Sequence, residues 1–201
     1  MTTGHTEARW PASVPFLVAE RDVTTNLMVD TNDNFLCLAT SGLRRREMPK
    51  LIEGDLAPDF SLLDQEGNTV ALRDLSGKNV IIYFYPKDDT PGCTKEACQF
   101  NELLPDFATD DAVVLGVSAD SAESHGRFRD KFDLKFQLLI DKDHKVMEAY
   151  GAYGEKVLYG KTTIGVIRST FLVGPDQKIK RAWYHVRADG HAEKVLAALK
   201  S

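Results

Sequence analysis

The sequence predicts an α/β domain: a central mixed sheet with helices on both faces, preceded by an N-terminal extension. Three observations carry this reading. An apolar run at 80–85 is followed by apolar residues at helical spacing and then by a second apolar run at 112–118. Two β-rich runs near the end, 168–173 and 178–183, flank the turn Gly174-Pro175-Asp176-Gln177. A last amphipathic segment closes the chain. Strand–helix–strand followed by strand–strand–helix requires parallel and antiparallel pairing in one sheet, with helices covering it.

The elements follow in order. Residues 1–50 differ from the rest: they hold Trp10-Pro11 and Val14-Pro15, scattered Thr and Asn, and the basic run Arg44-Arg45-Arg46. Their two short apolar patches, 16–19 and 35–39, include Cys37, which reads as a small buried hydrophobe or a bystander. The segment is expected to be a poorly ordered appendage. Glu7, Glu20, Asp22, Asp30 and Asp33 argue against an acid-poor transit peptide, and Met48 is a plausible second start. The domain proper is placed at 51–201.

Residues 60–62 and 69–72 flank Asp64-Gln65-Glu66-Gly67-Asn68, which predicts a hairpin with a glycine for the left-handed turn position. The run 80–85 is short and apolar at nearly every position, so it reads as a strand buried on both faces. Ala97, Phe100, Leu103, Leu104 and Phe107 recur at three and four residues, predicting a helix over 94–108 that Pro105 kinks. Residues 112–118 form a second central strand, Ser121 caps a helix over 122–132, and 138–140 form a third strand. Asp143 is expected to cap a short helix ending near Tyr150-Gly151. The closing antiparallel pair and a helix from about 189 to 199 complete an arrangement that is thioredoxin-like, with extra elements between its first helix and the closing hairpin.

Composition narrows the function. The chain has 201 residues, a net charge of -5 and 43% apolar residues. That balance argues against a nucleic-acid or anionic-membrane surface, and no stretch approaches the roughly 20 apolar residues of a membrane span. The first residues lack the pattern of a secretory signal, so the expected compartment is the cytoplasm. Three cysteines, Cys37, Cys93 and Cys98, are too few for a small secreted disulfide scaffold. No histidine stands at ligand spacing from the pair, which counts against a metal site.

The chemistry centres on Pro86-Lys87-Asp88-Asp89-Thr90-Pro91-Gly92-Cys93-Thr94-Lys95-Glu96-Ala97-Cys98. A buried strand ends, a loop turns, and Cys93 sits where a helix begins. Unpaired backbone N–H groups and the helix dipole favour a thiolate at such a position. Five positions along an intact helix advance about 7.5 Å and rotate about 140°, which places Cys98 beyond the roughly 7 Å Cα separation a disulfide tolerates. The dithiol is compatible with the helix and the disulfide is not, so oxidation must unwind its first turns. This weighs against a static structural disulfide. Thr90, three residues before Cys93, can offer its hydroxyl to an oxygen held at the sulfur. Pro91 rigidifies the approach and Gly92 allows close approach of backbone. A peroxide O–O group fits these short donors. An arginine would stabilise both thiolate and departing oxygen; Arg168, at the start of a closing strand, is the candidate, against the alternative of a surface residue on an edge strand.

Pro86-x-x-x-Thr90-x-x-Cys93 resembles the active-site signature of the peroxiredoxins, and Pro91-Gly92-Cys93-Thr94-x-Glu96-Ala97-Cys98-x-Phe100 is similar to that of the bacterioferritin comigratory protein, or peroxiredoxin Q, subfamily. The resemblance extends over about residues 51–200, through Gly54-Asp55-x-Ala57-Pro58-x-Phe60, Tyr83-Phe84-Tyr85-Pro86-Lys87 and Arg168-Ser169-Thr170-Phe171-Leu172-Val173. It implies that Cys93 is the peroxidatic cysteine and Cys98 the resolving cysteine of the same chain. It implies that Thr90 and Pro86 shape the peroxide pocket and that Arg168 steadies thiolate and peroxide. It further implies a thiol peroxidase acting on hydrogen peroxide and alkyl hydroperoxides, without haem, flavin or metal, in a monomer recycled by thioredoxin. Two other readings stand beside it: a thioredoxin-like protein disulfide reductase, disfavoured by the five-residue spacing, and a non-catalytic thiol sensor, which would turn over poorly with any reductant.

Overall fold

The computed structural model describes residues 50–158 and 161–201. The expectations for the N-terminal extension, its order and Cys37 therefore lie outside the described residues.

A seven-stranded sheet forms the centre. Its strands are β1 (Ser61–Asp64), β2 (Thr69–Ala71), β3 (Asn79–Phe84), β4 (Ala112–Ser118), β5 (Gln137–Ile140), β8 (Ser169–Val173) and β9 (Ile179–Tyr184), in the spatial order β2-β1-β5-β4-β3-β8-β9. β3, β4 and β5 pair in parallel, while β8, β9, β1 and β2 join antiparallel. The sheet is mixed, as expected. A separate hairpin, β6 (Tyr153–Leu158) with β7 (Lys161–Val166), stands outside it.

β3 is the spine. Side chains alternate along a strand, so Val80, Ile82 and Phe84 enter one core and Ile81 and Tyr83, followed by Tyr85, enter the other. The second core is roofed by helices α1 (Pro91–Glu102), α2 (Leu104–Thr109), α3 (Ala122–Phe132) and α5 (His191–Leu199), through Cys93, Ala97, Phe100, Phe107, Phe128 and Val195 among others. The first core is covered by α4 (Lys145–Ala149), by Tyr150 and by a 3-10 turn at Leu72–Leu75. Helices thus lie on both faces, unevenly. No helix among the described residues is long and apolar enough to cross a membrane.

Local differences from the sequence reading have plain causes. The segment 94–108 is two helices rather than one kinked helix. Pro105 has no N–H to give an interior turn, so it sits in the first turn of α2 instead. α1 starts earlier than expected because Pro91 takes the first helical position, and Cys93 falls in the first turn. Asp143 does not cap α4. It is exposed and pairs with Lys145, while the buried Asp141 accepts the Met147 N–H at 2.8 Å and His144 turns the chain with φ 59°. Ser121 does cap α3, its Oγ accepting the Ser124 N–H at 3.3 Å.

Candidate active site

The site forms where β3, the start of α1 and the residue preceding β8 meet. β3 and β8 are hydrogen-bonded neighbours, with Phe84 opposite Ser169. Pro86 therefore leaves one strand next to the point at which Arg168 enters the other. The loop turns through Asp89, whose φ is 53°, to Thr90, the residue that caps α1 with extended backbone. The Thr90 carbonyl accepts the Thr94 N–H at 2.8 Å, and its hydroxyl donates to the Lys87 carbonyl at 3.1 Å. That hydroxyl makes no cap hydrogen bond to the helix.

Cys93 is 1% exposed, and its Sγ lies 3.1 Å from Arg168 Nη2. Arg168 is largely buried, with its guanidinium against the Cys93 sulfur. Nη1 of the same guanidinium holds the carboxylate of Glu96. Glu96 is fully buried and its other oxygen, Oε1, has no hydrogen-bond partner among the described residues. One planar fork therefore bridges a thiol and a carboxylate. Burial opposes the charge on Arg168, but Glu96 and Cys93 more than offset it and the guanidinium is held firmly as a cation. Burial also dominates at Glu96: despite Arg168, its carboxyl is pushed up to about 7.

Cys98 is half-buried on the same helix, and both thiols are free. Burial and the neighbouring Glu102 raise the Cys98 thiol above its ordinary value. Cys93 therefore faces a cation and Cys98 an anion. Gly92 lies against the guanidinium, where an added Cβ would stand 3.5 Å from Arg168 Nη2 in ordinary contact. Of the predicted residues, Cys93 and Arg168 touch, Thr90 caps the helix that carries Cys93, and Pro86 ends the strand beside Arg168.

Residues 53–182 match the AhpC/TSA family profile. The chain belongs to the AhpC/TSA family. Peroxiredoxin Bcp of Bacillus subtilis is 45% identical over 147 residues, covering 73% of this chain and 94% of that protein. A structure of the Xanthomonas campestris bacterioferritin comigratory protein, described for its alkyl peroxide reduction activity, is 45% identical with a TM-score of 0.67, covering 70% of this chain and 90% of the other. A PrxQ variant from Xylella fastidiosa is 40% identical with a TM-score of 0.71, covering 76% and 97%. The chain is a peroxiredoxin with the thioredoxin-type fold, a thiol-dependent peroxidase and so an oxidoreductase.

Sequence reasoning gave Glu96 no role in the site of this peroxiredoxin. A signal was present: Glu96 stands three residues after Cys93, on the buried stripe with Ala97 and Phe100. A carboxylate on an apolar face needs a cation.

Proposed function

We propose that the chain reduces hydrogen peroxide and organic hydroperoxides at Cys93, through a sulfenic acid and an intramolecular Cys93–Cys98 disulfide that a dithiol such as thioredoxin reduces. The observation that carries this reading is the 3.1 Å contact between Arg168 Nη2 and Cys93 Sγ in the first turn of α1. The Cys93 thiolate attacks one peroxide oxygen, the O–O bond breaks, and the departing oxygen takes a proton to leave as water or alcohol. Arg168 stabilises negative charge on both sulfur and departing oxygen, and Thr90 turns its hydroxyl from the Lys87 carbonyl toward the peroxide. Pro86 walls the pocket. The sulfur, now Cys–SOH, is two electrons more oxidised. The first turns of α1 unwind, and the Cys98 thiol displaces hydroxide, which leaves as water with the thiol proton. A dithiol then attacks the disulfide by exchange and restores both thiols.

This cycle closes within one chain, so a monomer suffices. It calls on no bound cofactor or metal, nucleic acid or membrane. A cycle driven by a dithiol reductant suits a reducing compartment, and we assign the protein to the cytoplasm. Residues 1–50 are read as an extension and 51–201 as the catalytic domain. A coupled assay with thioredoxin, thioredoxin reductase and NADPH, run on hydrogen peroxide and on cumene hydroperoxide, tests the proposal. NADPH consumption that depends on both peroxide and thioredoxin supports it. Fast oxidation of Cys93 with no thioredoxin-dependent turnover would favour the sensor reading.

A further inference from the structure

A second buried polar cluster lies behind the pocket loop. His125, in α3, is fully buried. Its Nδ1 lies 2.9 Å from Asp88 Oδ2, and its Nε2 lies 3.3 Å from the Leu139 carbonyl of β5. Asp88 is itself buried and stands in the loop midway between Pro86 and Thr90. Its carboxylate also accepts from Tyr85 Oη at 2.8 Å and from Ser124 Oγ at 2.7 Å. Its backbone N–H donates to Asp120 Oδ2 at 2.8 Å, and that oxygen is held in turn by Ser118 Oγ at 2.9 Å. The next residue, Asp89, pairs with Lys131 of α3 at 2.7 Å.

Both imidazole nitrogens of His125 face acceptors, a carboxylate and a carbonyl, and Nδ1 also lies 3.4 Å from Tyr85 Oη. Burial works to raise the Asp88 carboxyl, but the bonds from His125, Ser124 and Tyr85 outweigh it and hold Asp88 below the usual carboxylate range. These hydrogen bonds pin side chain and backbone of Asp88 at one point, two residues before Thr90 and five before Cys93.

We propose that His125 is a positioning residue of the peroxide pocket: through Asp88 it latches the loop carrying Pro86 and Thr90 to α3 and β5. The pocket wall then keeps its place while the first turns of α1 unwind and refold in each cycle. The inference rests on Cys93 being the thiol that attacks peroxide.

The test compares two reactions of Cys93 in the full chain. One is stopped-flow oxidation by hydrogen peroxide, which uses the pocket. The other is alkylation by iodoacetamide, read at Cys93 by peptide mass spectrometry, which does not use Thr90. In His125→Phe the peroxide rate should fall at least tenfold while alkylation is undiminished. Asp88→Asn should stay within about threefold of the wild type. Its amide can donate to His125 Nδ1 and to Ser124 Oγ and still accept from Tyr85, so the contacts of the latch survive. If His125→Phe does not fold, Ser124→Ala removes a single donor to Asp88 and should slow peroxide alone, by about two- to fivefold. A peroxide rate within twofold of the wild type in folded His125→Phe overturns the proposal, as does an equal fall in both reactions, or an unchanged rate in Ser124→Ala where that variant stands in. A wild-type Cys93 that fails to react with peroxide would instead defeat the reading of the site itself.

Discussion

Oxidation should melt the start of α1, and the structure sets the size of the effect. Cys93 and Cys98 stand in one continuous helix, Pro91–Glu102. A rise of about 7.5 Å combined with a turn of about 140° on a helix of about 2.3 Å radius separates their Cα atoms by roughly 9 Å. A disulfide needs about 4.4–6.8 Å, so at least the turn between them must open. The Thr94 N–H to Thr90 carbonyl bond and its successors through Cys98 are then lost, about five backbone bonds at about 1 kcal/mol each. About 5 kcal/mol of local protection corresponds to between three and four powers of ten in amide exchange. Phe100, stacked on Tyr83 at 4.9 Å, should anchor the second half of the helix. Hydrogen exchange followed by mass spectrometry on the reduced and disulfide forms reads this directly: peptides covering 93–98 should exchange faster by that factor, and those beyond 100 much less. Equal protection of 93–98 in the two forms would refute the geometric argument.

Arg168→Met should slow the reaction of Cys93 with peroxide by about two orders of magnitude, about 2.7 kcal/mol of transition-state stabilisation; the fold should survive because Glu96 can take a proton. Stopped-flow oxidation measures it, and an unchanged rate would remove Arg168 from the chemistry. Glu96 and His191 should give opposite slopes of stability against pH. The Glu96 carboxyl is raised by burial to about 7, so stability falls as pH rises from about 4.5 to 7, by at most about 3 kcal/mol, and Glu96→Gln should flatten that limb in urea unfolding. Burial, with Lys194 and Arg168, lowers His191 to about 4, so its contribution is present above pH 6.5 and lost as pH falls toward 4; His191→Gln should flatten that one. A chain beginning at Met48 should keep the wild-type peroxidase rate and melting temperature, and Cys37→Ser should leave turnover and the Cys93–Cys98 disulfide intact. A melting temperature lowered by several degrees, or a disulfide mapped to Cys37, would give the extension a role.

Much of this arrangement was legible in the residues because single local rules decided it. β3 was readable since Val80 to Tyr85 are apolar without a break and each is at most 1% exposed. α3 was readable since Ser121 directly precedes its first turn. Cys93 was placed by its position after a strand and a proline; spacing left Arg168 open against a surface residue, and only the family resemblance favoured it. The misreadings arise where partners distant in sequence decide. At the start of α4 it is Asp141 that accepts the Met147 N–H, and nothing in the local sequence prefers it over Asp143; burial beside β5 does. The β6–β7 hairpin was not anticipated: Tyr153 to Val166 includes the exposed Ile164, and no amphipathic alternation facing the main core marks it. Glu96 and His125 each required knowledge of a partner 72 or 37 residues away.

The most direct test of the central claim is the fate of sulfur after one equivalent of hydrogen peroxide, followed by mass spectrometry in wild type, Cys93→Ser and Cys98→Ser. The account predicts a Cys93–Cys98 disulfide in the wild type, trappable sulfenic acid at Cys93 in Cys98→Ser, and no peroxide reduction in Cys93→Ser. Sulfenic acid at Cys98 with activity retained in Cys93→Ser would contradict it.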